Sequence, residues 1–212
     1  MKEFDKVKEA GESAVVITLA SKFSGTYQSA VIAAEDYDNI YVVDSSSCAM
    51  GSGILVELAF RLLDSGMSAE EIAKTLEEEK KKIIIVALVD TLEYLKKGGR
   101  VSKTVAFAGT LLNIKPVISV TDGEINMLGK ARGSKMGNNL LVEEIKKAGG
   151  VDFSKPVLLG YSGISDALLL KYIEDSKHIW EGNLDEVRYT TVGSVIGTHA
   201  GPGAVAVAFF KM

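Results

Sequence analysis

The apolar run Ala14-Val15-Val16-Ile17-Thr18-Leu19-Ala20 passes directly into a hydroxyl- and glycine-rich turn, Ser21-Lys22-Phe23-Ser24-Gly25-Thr26-Tyr27-Gln28-Ser29-Ala30, and then into a helical stretch through Ala34. A buried strand that feeds a Ser/Gly turn and a helix is the opening unit of an α/β sheet, because parallel strands need helical crossovers to cover them. The same unit sets hydroxyls and free backbone N–H groups at a helix N-terminus, whose partial positive charge suits a carboxylate or a phosphate. Local sequence leaves two readings of Ser24: a helix N-cap, or part of an anion seat. Far downstream, Ile196-Gly197-Thr198-His199-Ala200-Gly201-Pro202-Gly203-Ala204 forms a second glycine-rich stretch and holds one of only two histidines. Taken alone, His199 reads as polar loop surface, and Gly201-Pro202-Gly203 as a turn before the last apolar run.

The alternation continues along the first part of the chain. A short amphipathic helix precedes the Ala14–Ala20 strand, and the helix after Gly25 leads to a strand at Ile40–Asp44. Next come the loop Ser45–Gly51, a helix from about Gly51 to Leu63, and a capping box, Ser68-Ala69-Glu70-Glu71, opening a helix towards Lys82. This pattern predicts a parallel sheet covered by helices, with both Ser-rich loops at strand C-terminal ends, where open α/β sheets bind ligands. The second part differs. Strand Ile83–Val89 is followed by a helix, Thr91–Lys97, stopped by Gly98-Gly99. Lys115–Val120 and Ile125–Leu128 make a hairpin around Asp122-Gly123. A helix from about Lys135 to Ala148, a strand at Pro156–Tyr161, a helix capped by Ser165-Asp166 and strands at Val187–Thr191 and Ala204–Phe209 complete an α+β pattern. The predicted fold is thus α/β with two domains, residues 1–81 and 82–212, and the boundary near Lys80–Lys82.

Composition narrows the function classes. With 212 residues the chain has enough length for one large or two small cores. A net charge of −4 and no long Lys/Arg cluster argue against a nucleic-acid surface. Glu77-Glu78-Glu79-Lys80-Lys81-Lys82 reads as a solvated helix face. Cys48 is the only cysteine, so no internal disulfide forms and a reducing compartment is expected. No ligand-spaced cluster predicts a metal. The first residues lack an apolar signal core, and no stretch is long enough to span a bilayer, so a cytoplasmic protein without membrane insertion is expected.

These residues resemble the DegV family. The resemblance is carried by Ser21 to Ala30, by Val42-Val43-Asp44-Ser45 with Met50-Gly51, and by Asp90-Thr91-Leu92-Glu93-Tyr94-Leu95-Lys96-Lys97-Gly98-Gly99-Arg100. It continues through Leu112-Asn113-Ile114-Lys115-Pro116, Asp122-Gly123-Glu124, Lys130-Ala131-Arg132-Gly133 and the Ile196–Ala204 stretch, in family order and over nearly the whole chain. It implies an N-terminal Rossmann-like α/β domain, here incomplete, followed by an α+β domain with a mixed or antiparallel sheet. It also implies a long-chain fatty acid buried between or within them as ligand, with no cofactor. Some members are fatty-acid-binding subunits of bacterial fatty acid kinase and present the acyl carboxylate to a separate kinase. By resemblance, Ser24 and His199 match the polar network holding the carboxylate, the Gly25 amide lies beside it, and Arg100 and Arg132 match positions that dock the kinase. Family members usually begin with a further strand and a Ser/Thr-rich loop supplying another hydroxyl. This chain starts after that region, as a natural short form or a truncated product, so a smaller first sheet is expected.

Three functions then compete. A fatty-acid carrier gains about 0.8 kcal/mol per buried CH₂, a gross term on the order of 12 kcal/mol for a long chain, but must pair the carboxylate because an unpaired buried charge costs several kcal/mol. Phe107, Leu111, Leu112, Ile114, Ile118 and Leu168 are candidates for its apolar wall, and each also reads as plain core. A serine hydrolase of acyl esters would use Ser24 as nucleophile and His199 as base, yet Phe23-Ser24-Gly25 lacks the Gly-x-Ser-x-Gly elbow and no Asp stands out to orient the histidine. A nucleotide site at Ser24–Thr26 lacks either glycine fingerprint after a strand. The sequence favours the carrier, a protein with no catalytic residues of its own.

Overall fold

The computed structural model describes residues 1–101 and 114–212. In chain order these form α1 (Lys2–Glu9), β1 (Ala14–Thr18), α2 (Thr26–Ala34), β2 (Ile40–Asp44), α3 (Ala49–Asp64), α4 (Ala69–Glu79) and a 3₁₀ turn at Lys80–Lys82. Then follow β3 (Ile83–Leu88), α5 (Glu93–Lys97), β4 (Ile114–Thr121), β5 (Glu124–Arg132), α6 (Gly133–Lys147) and β6 (Leu158–Tyr161). The chain closes with α7 (Ala167–Asp175), α8 (Lys177–Trp180), β7 (Tyr189–Thr191), α9 (Ser194–Ala200) and β8 (Val205–Phe210).

The strands divide into two sheets at the 3₁₀ turn. β1 and β2 pair in parallel, from Ala14 opposite Ile40 to Thr18 opposite Asp44. The other sheet has six strands in the order β5-β4-β3-β8-β6-β7 and is mixed: β3 runs antiparallel to β4 and β8, while β6 and β7 run parallel. Its middle strands β3 and β8 carry unbroken apolar runs because both of their faces are covered. Side chains alternate between those faces with the strand period of two. Ile83, Ile85, Ala87, Ala206, Ala208 and Phe210 share a core with Val43, Leu76 and the buried face of α3. Val86, Leu88, Val205, Val207 and Phe209 pack on the opposite side against Leu141 and Ile145 of α6, Leu169 and Tyr172 of α7, and Trp180. The helix α3 thus lies between the sheets, and one continuous apolar core joins them.

Local chemistry explains the elements that position the site. At the start of α4 the Ser68 hydroxyl accepts from the Glu71 amide while the Glu71 carboxylate accepts from the Ser68 amide, the reciprocal box expected from sequence. Asp122 (φ 50°) and Gly123 (φ 66°) take consecutive left-handed conformations, which twist a two-residue turn the right way to join β4 and β5. That turn reaches the first sheet: the Gly123 amide donates to Ser46 O at 2.6 Å, and Lys22 pairs with Glu124 at 3.0 Å.

Several expectations shift. β1 stops at Thr18 because Ala20 leaves the sheet and donates to Ser47 O at 2.7 Å. The segment around His199 is a helix, not a loop: Gly193 caps α9, and Gly201 ends it at φ 73°. The Glu/Lys block is not wholly solvated, since Lys155 from beyond β5 pairs with a half-buried Glu79. Burial raises that carboxyl, but hydrogen bonds from Lys155 and Lys82 outweigh it and hold the group below its ordinary range.

Candidate functional site

Small side chains on one face of the large sheet open a cavity of about 280 Å³. Ala87 of β3, Gly160 of β6, and Ala204 and Ala206 before and within β8 line it where larger residues would fill the space. Ile85, Ile118, Val120 and Ile125 form its apolar floor, and Met50 at the start of α3 lies across Gly160. Every residue type here favours an apolar guest.

Polar groups gather on one stretch of the wall through a chain of contacts. The turn after β1 brings Ser24 and Thr26 to the cavity, with their hydroxyls 2.8 Å apart and the Thr26 amide donating to Ser24 Oγ at 3.3 Å. The carbonyl of Phe23 accepts from Arg100 Nε at 3.2 Å, and Arg100 Nη1 donates to Gly98 O at 2.7 Å. The imidazole of His199 lies against Gly98, with its Nδ1 buried and without a hydrogen-bond partner among the described residues. Ser24, Arg100 and His199, far apart in sequence, all line the same cavity.

The backbone holds these groups in place. Asp44 at the C-terminal end of β2 accepts from the Ser21 amide at 3.2 Å and the Ser46 amide at 2.8 Å, tying the two Ser-rich loops together. They meet at strand C-terminal ends, as in open α/β sheets generally. Ser162 accepts from the Ala204 amide at 2.9 Å and donates to Gly201 O, which fixes the end of α9 just past His199. Cys48 stands at the N-cap position of α3 without a side-chain cap, and it lines the cavity. Burial pushes its thiol up to about 11, so it stays a neutral, weakly polar part of the wall.

The sequence-predicted residues are distributed as follows. Ser24 is not the N-cap of α2; Gly25 is, with no side-chain cap, so the Ser24 hydroxyl is left for its neighbour Thr26 and for the cavity. Gly25 stands beside the cavity wall without lining it. Arg100 is exposed and also borders the cavity. Arg132 is exposed at the end of β5, in register with Ile114, and does not border the cavity. Of the wall candidates Ile118 lines the cavity; Ile114 does not, and Leu168 is 38% exposed on α7. Phe107, Leu111 and Leu112 lie outside the described residues. Ser24 Oγ meets Thr26 and not His199, and His199 Nδ1 has no carboxylate to orient it, so no serine triad is assembled among the described residues. Among those residues there is no group of three His, Cys, Asp or Glu able to hold a metal, and no helix long and apolar enough to cross a membrane.

A family model described as "Uncharacterised protein, DegV family" matches residues 1–212. A DegV domain-containing protein of Caldanaerobacter subterraneus is 35% identical over 213 residues, covering 99% of this chain and 74% of that protein. A fatty acid-binding protein of Thermotoga maritima is 35% identical over 208 residues, covering 96% of this chain and 71% of the relative. In three dimensions, a stearic acid-binding protein of Eubacterium ventriosum superposes with a TM-score of 0.85 at 29% identity, covering 99% of this chain and 74% of that one.

Proposed function

The chain belongs to the DegV family, and from that membership and the cavity we propose that it is a carrier of one long-chain fatty acid, held with its carboxylate at Ser24 and His199 beside the Gly25 amide. The observation that carries this reading is the gathering of Ser24, Thr26, Arg100 and His199 on the wall of a cavity that is otherwise mainly apolar. The physics of a fatty acid demands both parts. Each buried CH₂ contributes about 0.8 kcal/mol, while the carboxylate needs hydrogen-bond donors and positive potential where it is withdrawn from water. The hydroxyls, the start of α2 and the Arg100 guanidinium supply them. His199 Nδ1 is buried with no partner among the described residues, which leaves the ring free to turn its hydrogen-bonding capacity to a ligand oxygen. Relatives named for fatty-acid binding support the carrier reading.

On this reading the protein presents the carboxylate to a partner fatty acid kinase and performs no chemistry alone. Arg132 serves the partner; Arg100, at the cavity edge, stands where docking and head-group charge meet. Residues 1–81 and 82–212 form the two domains that hold the ligand between them, supported by the change of sheet at Lys80–Lys82. We place the carrier in the cytoplasm, where an unpaired Cys48 stays reduced. The test is to incubate the oleate-loaded protein with ATP, with and without a DegV-partner fatty acid kinase, and separately with acyl esters. Acyl phosphate formed only with the kinase supports the proposal. Ester turnover abolished by both Ser24→Ala and His199→Ala would replace the carrier with a hydrolase.

A further inference from the structure

We propose that Gly98 is the positioning residue for His199: its bare Cα is the seat against which the imidazole is held, so the head-group contact is set by a residue that does not itself line the cavity. The inference rests on the carrier reading for its effect on affinity, but not for its geometry.

Gly98 closes α5 at φ −72° and ψ −10°, a conformation open to every residue, so the backbone gives no reason for glycine here. Space does. A Cβ at Gly98 would stand 2.0 Å from His199 Nδ1, 2.6 Å from Cε1 and 3.2 Å from Cγ, so the ring occupies the volume an alanine methyl needs. The neighbouring Gly99 is the opposite case: it has φ 68°, and a methyl there would meet nothing within 4 Å, so it serves the turn alone. The contact is reciprocated across the same pair of helices. Gly201, at the end of α9, would carry a Cβ 2.3 Å from Tyr94 Cδ2, so a ring from α5 lies on a glycine of α9 while a ring from α9 lies on a glycine of α5. Both seats are pinned: Arg100 Nη1 holds the Gly98 carbonyl at 2.7 Å, and Ser162 Oγ holds that of Gly201. Close-packed contacts of this kind do not yield to an added methyl without moving one partner. At Gly98 the partner that moves is the histidine.

The experiment compares wild type, Gly98→Ala, His199→Ala and the double variant by two readouts. The first is the imidazole Cε1–H resonances, which are few because the chain has only two histidines, and the exposed His178 is the internal reference. The second is affinity for oleate. Gly98→Ala should move the His199 resonance and leave that of His178 in place. It should weaken oleate binding at least tenfold, about as much as His199→Ala, and the double variant should be no weaker than His199→Ala alone. If the alanine prevents folding, His199→Ala in the same chain should restore it by vacating the space. An unmoved His199 resonance in the folded single variant would overturn the proposal. So would an equal loss from Gly98→Ala in the His199→Ala background, in affinity or in folding. If His199→Ala leaves oleate affinity intact, the carrier's head-group assignment fails, and the resonance still decides whether Gly98 seats the ring.

Discussion

Replacing Ser24 by alanine should weaken fatty-acid binding about tenfold while leaving the fold untouched. A hydroxyl donating to a carboxylate contributes about 1.5–3 kcal/mol, the range for hydrogen bonds to charged groups. The lower end applies here, because Thr26 Oγ1 sits 2.8 Å from Ser24 Oγ and stays in the cavity wall to bind the same oxygen or a water in its place. About 1.5 kcal/mol corresponds to roughly a tenfold rise in Kd. Stability should change by no more than about 1 kcal/mol, since Ser24 is not the cap of α2 and loses only its contact with the Thr26 hydroxyl and the long bond it accepts from the Thr26 amide. Competition of palmitate or oleate against a fluorescent fatty acid gives the affinity, and a thermal melt of the empty protein gives the stability. Unchanged affinity would place the carboxylate elsewhere. A melting temperature that collapses along with affinity would mean that Ser24 holds the turn together and that its contact with the ligand was misassigned.

The same structure predicts three further outcomes. Gly160→Ala would bring a Cβ within 2.5 Å of Met50 Sδ and 2.9 Å of its Cγ, so overpacking should cost about 1–3 kcal/mol in a denaturant titration, and a neutral result would show that Met50 is free to swing. Asp175 accepts from Asn138 Nδ2 at 2.8 Å, and that bond, helped by Lys171, holds its carboxyl below the ordinary range. A depressed carboxyl stabilises the fold above the unfolded value of about 3.9 and loses that contribution as pH falls through the lower folded value, so the melting-temperature gap between wild type and Asn138→Ala should narrow below about pH 4. A gap that stays constant down to pH 2 would show that the carboxyl's charge contributes nothing to it. Cys48, with its thiol pushed up to about 11 by burial, should react with iodoacetamide in the native state far more slowly at pH 8 than a free thiol and accelerate as pH rises towards that value; rapid labelling at pH 8, read by intact mass, would show the cavity wall open to water.

Much of the fold is written locally. The apolar runs of β3 and β8, the Asp122-Gly123 turn and the Ser68 capping box each follow from a few adjacent residues, and each forms where the sequence puts it. The helix around His199 is different. Gly197 and Gly201 read as loop, and the segment becomes helical because Gly193 caps it, Gly201 ends it and its side chains pack on α5, none of which local propensity encodes. Ser24 and His199 were recognisable from the family pattern, but their joining through Phe23 O, Arg100 and Gly98 spans long separations in sequence and exists only in the folded chain. One signal for the cavity was present and easily overlooked: Ala204-Val205-Ala206-Val207-Ala208 alternates small and large residues, putting every small one on the face that opens. The pairing of Glu79 with Lys155 had no such trace, since a helix-spaced charge block looks the same whether or not a distant lysine covers one end.

Native mass spectrometry of the purified protein, before and after addition of oleate, tests the carrier reading most directly. We predict one bound fatty acid per chain, of about sixteen to eighteen carbons, either retained from the host or taken up on addition, and with lower occupancy in the Ser24→Ala and His199→Ala variants. A folded chain that carries no fatty acid and takes up neither oleate nor palmitate would contradict it.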